Sequence, residues 1–192
     1  LWWKEIDKLN FILISILLVI GIILSFSLNE DLIFFNKHLI FSIIAFIIMI
    51  YFSSLEIHSL RRISLFSFIF FILILFLILL LDYEVKGSKR WLRIYRFSLQ
   101  PSEFIKPFYF MLTAWFIVQG INGRNYYLIT LFFSFVVVSG LIILQPDFGM
   151  TFLIFLTFFS QLFIAGLSIY LVIIALISLL ILSLSFYYLF DH

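Results

Sequence analysis

The 192-residue sequence has no cysteine, and only 11% of its residues are charged. Without thiols there is no disulfide-stapled scaffold. The shortage of charge, against about 25% in a typical soluble domain, excludes a soluble globular monomer, whose surface polar atoms could not cover. Nucleotide-binding signatures of the Walker and Rossmann types are absent, as are a Ser-His-Asp grouping and any nucleic-acid-binding motif. The three histidines, His38, His58 and His192, are isolated, and no pair has metal-ligand spacing. What the chain does contain is apolar: 65% hydrophobic residues and a mean hydropathy of +1.27. The same excess excludes disorder and predicts an all-α polytopic membrane protein.

A helix needs about 20 apolar residues to cross the hydrocarbon core. Seven stretches qualify: 11–28, 39–55, 63–81, 104–121, 126–144, 148–165 and 169–190. Together they make residues 1–192 one membrane domain, with no soluble module and no long linker. Trp2, Trp3, Lys4 and Lys8 anchor the first span at the interface. That span is not a cleaved signal: Glu5 and Asp7 flank it, no small-residue cleavage site follows, and further spans come at once.

Residues 82–98 concentrate the positive charge. Lys86, Lys89, Arg90, Arg93 and Arg96 stand there against Asp82 and Glu84, while the rest of the chain is slightly acidic. As a helix, 89–99 would put Lys89, Arg90, Arg93 and Arg96 on one face and Trp91, Leu92, Tyr95 and Leu99 on the other, a pattern suited to the bilayer surface. Gly87-Ser88 argues against helix further upstream. Such a segment can be a headgroup anchor or a site that captures a phosphate-bearing substrate, since arginine binds phosphate bidentately. With the N-terminus inside, this loop lies outside, and basic residues then divide five inside to six outside. The positive-inside rule favours N-inside only when the loop is set apart as a substrate site.

Two turns echo each other. Leu99-Gln100-Pro101-Ser102-Glu103-Phe104 opens the fourth span, and Leu144-Gln145-Pro146-Asp147-Phe148-Gly149 opens the sixth. Two crossings separate them, so both lie on one side. In each, proline suits the first helical position and an acid follows within a turn; the acid could simply complement the helix dipole. Glu103 and Lys106, three residues apart beside Pro107, are spaced to pair. Charges at that depth are costly, so Glu103, Lys106 and Asp147 are expected to face the bundle interior and a polar cavity; the alternative is a self-neutralised pair or a snorkelling lysine.

The run Glu84-Val85-Lys86-Gly87-Ser88-Lys89-Arg90-Trp91, followed by Phe97 through Pro107, resembles a signature of the FtsW/RodA/SpoVE family, the shape, elongation, division and sporulation (SEDS) proteins. Gln145-Pro146-Asp147-Phe148-Gly149 with Thr151 resembles their second signature, and order and spacing both match. The Glu-Val-Lys-Gly run and Ala114-Trp115 are closest to the cell-division branch. The resemblance implies the first seven of ten transmembrane helices, in a bacterial inner-membrane protein with a cytoplasmic N-terminus, placed at the division septum. It implies a peptidoglycan glycosyltransferase that joins lipid II units, with Lys86, Lys89, Arg90, Arg93, Arg96, Gln100, Glu103, Lys106 and Asp147 toward substrate. The family's catalytic Asp falls beyond His192, so no catalytic residue is assigned here. With no initiating Met at Leu1 either, the chain reads as a fragment, inactive alone. The implied partners are lipid II, a class B penicillin-binding transpeptidase and other divisome proteins, within the membrane and without nucleic acid. A divalent cation, Mg or Mn, is the one cofactor left open. A lipid II flippase and a non-catalytic divisome scaffold remain alternatives.

Overall fold

A computed structural model describes residues 6–28, 32–80, 91–94, 97–174 and 177–178. The described elements are α1 (Lys8–Leu28), α2 (Leu32–Ser53), α3 (Ile57–Leu80), a hairpin of β1 (Leu92–Ile94) and β2 (Phe97–Leu99), α4 (Pro101–Ile121), α5 (Asn125–Leu144) and α6 (Phe148–Ile164). Among the described residues five helices, α1 to α5, are long and apolar enough to cross a membrane, and α6 is a shorter apolar helix. At 17 residues α6 is about 25 Å long. Helix resumes at 169–174, where the seventh span was expected; most of that span lies outside the described residues.

Helices α2, α3 and α4 begin three to seven residues before the expected spans. Their first two turns hold Lys37, Arg61, Arg62 and Glu103. A charge raises the cost of entering hydrocarbon but does not break helical hydrogen bonding, so a first turn at the interface accommodates it.

The chain forms two compact units, 1–60 and 61–192. In the first, α1 and α2 pack antiparallel: Phe11 meets Phe46 with ring centroids 5.9 Å apart, and Phe26 meets Phe35 edge-on at 5.2 Å. Ser42 is buried there, and most other side chains face outward.

The second unit is centred on α4. Its buried residues Ile105, Tyr109, Leu112, Thr113, Phe116, Ile117 and Gly120 recur at three- and four-residue spacing, the stripe a helix presents to its neighbours. Phe68 of α3 stacks on Tyr109 at 5.7 Å, and Phe71 stacks on Phe104 and Phe108. Leu131, Val138 and Ile142 of α5 and Met150, Ile154 and Phe158 of α6 complete the core. Lipid is as apolar as these side chains, so close packing and interhelical hydrogen bonds hold the helices together. Gly120 marks one close approach: a β-carbon there would overlap Leu128 Cδ2. Between α4 and α6, Thr113 Oγ1 donates to Gln161 Oε1 at 2.6 Å, and Gln161 Nε2 donates to the Phe110 carbonyl at 3.0 Å.

The stretch before α4 departs from the amphipathic helix considered for 89–99. Leu92–Ile94 and Phe97–Leu99 pair antiparallel, Leu92 opposite Leu99, Arg93 opposite Ser98 and Ile94 opposite Phe97. Ile94, Tyr95 and Phe97 are β-branched or aromatic and favour extended backbone, and a helix-like spacing of charges did not outweigh them. The cationic helical face that spacing suggested therefore does not form across Arg93.

Candidate functional site

Four chain segments meet at one end of the second unit: the last turns of α3, the start of α4, the α5–α6 turn and the start of α6. Two glutamines tie them. Gln100 precedes α4 in an extended conformation and its side chain makes no cap bond with its own helix, where Pro101 occupies the first position and offers no N–H. Its amide reaches sideways, and Nε2 donates to Asp147 Oδ2 at 2.8 Å. Gln145 is fully buried, and its Nε2 donates to the Leu75 carbonyl at 3.3 Å. The echoing Gln-Pro turns thus lie side by side at one end, and each uses its glutamine to hold a different neighbour.

Asp147 is 6% exposed and caps α6. Its Oδ1 accepts from the Met150 N–H at 3.3 Å, the expected use of a carboxylate at a helix start. One detail of the echo differs. Pro101 is the first residue of α4, whereas Pro146 precedes the cap and Asp147 itself takes the cap position. The bond to Gln100 gives the carboxylate a second, interhelical role.

Glu103 and Lys106 pair through Oε2 and Nζ at 2.5 Å, and Lys106 Nζ also lies 3.5 Å from Met150 Sδ of α6. Lys106 is 18% exposed and Glu103 51%. The expectation that all three charges face inward therefore holds for Asp147 and largely for Lys106, while Glu103 sits at the rim of the second unit. The lysine draws it there: with the ammonium against Met150, the i,i+3 carboxylate pairs from the outer side. Ser102 Oγ and Gln145 Oε1 are buried and, among the described residues, lack a hydrogen-bond partner. This end thus combines an ammonium, two carboxylates and spare hydrogen-bonding capacity.

Of the basic loop, Arg93 lies in β1. Lys86, Lys89, Arg90 and Arg96 lie outside the described residues. The hairpin runs directly into Gln100, so β2 joins this same end. Gln145 carried no individual role in the sequence reading; its place in the repeated Gln-Pro turn was the available signal. Among the described residues no group of three or more histidines or carboxylates could hold a metal ion. The two carboxylates here, Glu103 and Asp147, are engaged with Lys106, Gln100 and the α6 backbone. They do not fit a divalent-cation site by themselves.

Apolar helices of spanning length define a polytopic helical membrane protein. The chain belongs to the FtsW/RodA/SpoVE family of cell cycle proteins, whose family model matches residues 7–192. Its sequence is 28% identical over 177 residues to the probable peptidoglycan glycosyltransferase FtsW of Caulobacter vibrioides, covering 86% of this chain and 45% of that protein. It is 36% identical over 98 residues to the protein of the same name from Acinetobacter baylyi, covering 50% and 25%. The fold is similar to that of a mutant rod shape determining protein RodA of Thermus thermophilus, with a TM-score of 0.76, 22% identity, and coverage of 94% of this chain and 60% of that one. It is also similar to a chain in a structure describing the coordination of polymerization and crosslinking by a peptidoglycan synthase complex, with a TM-score of 0.73, 19% identity, and coverage of 94% and 54%. The chain spans about half the length of the curated relatives it matches over most of its own length.

Proposed function

We propose that this chain is the substrate-facing half of a peptidoglycan glycosyltransferase that joins lipid II units during septal wall synthesis. The observation that carries the reading is the polar end shared by α4 and α6, where Gln100 holds Asp147 and Lys106 sits against Met150, in a chain of a family whose relatives are named for this activity. In the reaction a sugar hydroxyl of one lipid II attacks the anomeric carbon of another, a glycosidic bond forms, and the lipid pyrophosphate leaves. The departing diphosphate needs cations and hydrogen-bond donors beside it. Lys86, Lys89, Arg90, Arg93 and Arg96 would supply cations from the loop, Lys106 from the mouth of α4, and Gln100, Glu103 and Asp147 would orient them. A base must take the hydroxyl proton; by the family resemblance it is an Asp outside these 192 residues, which are then inactive alone. In this reading the loop lies on the periplasmic face of the inner membrane, the N-terminus is inside, and a class B transpeptidase and divisome proteins are the partners; the family resemblance supports each. A divalent cation, if used, would draw its ligands from outside the described residues.

The Glu103–Lys106 pair near the start of a span would also suit lipid translocation. Reconstitution of the full-length protein with its transpeptidase partner and purified lipid II separates the two. Glycan strands support the polymerase; movement of lipid II between leaflets without polymer refutes it in favour of a flippase.

A further inference from the structure

The opposite end of the second unit carries a different grouping. Arg61, in the second turn of α3, lies over the ring of Trp115 of α4, with Cζ 4.7 Å from the ring centroid. Trp115 meets Tyr127 of α5 edge-on at 4.9 Å, and Tyr127 lies against Tyr126 at 4.2 Å. One helical turn beyond Trp115, on the same face of α4, Gln119 Oε1 accepts from Arg124 Nη1 at 2.6 Å. Positions four apart on a helix are about 6 Å apart at their β-carbons, so α4 displays the contact points of two guanidinium groups one above the other. Arg62 adds a third, exposed cation beside Arg61. Among the described residues no carboxylate pairs with any of the three. Around the cations the ends of α4 and α5 are apolar and outward-facing, with Val118, Ile121, Tyr126 and Ile129 more than half exposed.

We propose that this end binds the phosphate of an anionic phospholipid, held between Arg61 and Arg124 with Trp115 and Tyr127 at headgroup depth. The cations provide charge complementarity, and the stacked guanidinium is oriented by the indole rather than free to swing. The exposed apolar neighbours select lipid over a soluble phosphate, because they must meet acyl chains. Tryptophan and tyrosine at a helix end mark the interfacial layer where that phosphate lies.

The test uses the full-length protein in nanodiscs, with Trp2, Trp3, Trp91 and any tryptophan outside these 192 residues changed to Phe, leaving Trp115 as the sole indole. Trp115 fluorescence is titrated with brominated phosphatidylglycerol and brominated phosphatidylcholine. The anionic lipid is expected to reach half-quenching at a mole fraction lower by about fivefold for each guanidinium engaged. Arg61→Gln and Arg124→Gln should each remove about that factor, and the double variant should quench equally with both lipids. Identical curves for both lipids with the unaltered arginines overturn the proposal, as does a preference that survives the double variant. Relief of quenching by soluble glycerophosphate at low millimolar concentration would assign the cations to a free phosphate and also overturn it. If the double variant does not elute as the parent does, Arg124→Gln alone decides: its side chain is exposed, and an unchanged preference refutes the role of Arg124.

Discussion

Among the described residues, replacing Asp147 with Ala removes two hydrogen bonds that do different work. One caps α6 through the Met150 N–H; the other receives Gln100 from the start of α4. Loss of a cap acceptor costs about 1 kcal/mol. Interhelical hydrogen bonds in membrane proteins average about 0.6 kcal/mol and reach about 1.7. The Gln100 bond belongs near the upper figure, because its acceptor is a carboxylate and Asp147 is only 6% exposed. Asp147→Ala should therefore destabilise by about 2–3 kcal/mol, and Gln100→Ala by about 1–2 kcal/mol. The double variant should cost less than the sum, with a coupling of about 1–2 kcal/mol. Asp147→Asn falls between, since its single carbonyl oxygen can keep the cap while its amide nitrogen cannot accept from Gln100. Equilibrium unfolding in bicelles gives all of these values. If the two alanine variants add to within about 0.3 kcal/mol, the side chains do not interact, and the joining of the α4 and α6 starts is wrong.

Further expectations concern the packing and the loop. A β-carbon at Gly120 would lie 2.6 Å from Leu128 Cγ as well as close to Cδ2, so Gly120→Val should lower stability by about 1–3 kcal/mol; an unchanged melting temperature contradicts the close approach of α4 and α5. Thr113→Val strands the Gln161 amide oxygen and should lower stability by about 1–2 kcal/mol; unchanged stability would deny the bond. In the full-length protein, polymerisation should fall for Arg90→Lys as well as Arg90→Ala, because lysine keeps charge but not the bidentate fork; free substitution by lysine would reduce the loop to a headgroup anchor.

The helices were legible because uninterrupted apolar runs have few alternatives in a membrane. The Glu103–Lys106 pair followed from spacing on one helix, and the placement of the two Gln-Pro turns on one side from counting crossings. Other features depend on contacts between elements. The Arg61–Trp115 stack joins residues 54 positions apart, and Gln161 reaches back to Phe110 across 51; nothing local marks either. The hairpin was missed because four basic residues at helical spacing imitate an amphipathic face, while the extended preference of Ile94, Tyr95 and Phe97 is a weaker local signal. Glu103 was expected inside because a carboxylate in hydrocarbon is costly, but at the first turn of α4 it can remain at the rim.

The most direct measurement of the proposed activity is glycan-strand formation from purified lipid II by the full-length protein, compared with its Lys106→Ala variant at matched folded abundance. A lysine that contributes a charge-assisted bond to the departing diphosphate is worth about 1.5–3 kcal/mol, so the variant should polymerise about tenfold more slowly, or slower still. Strands formed by Lys106→Ala at the parent rate would contradict the assignment of this polar end to the reaction.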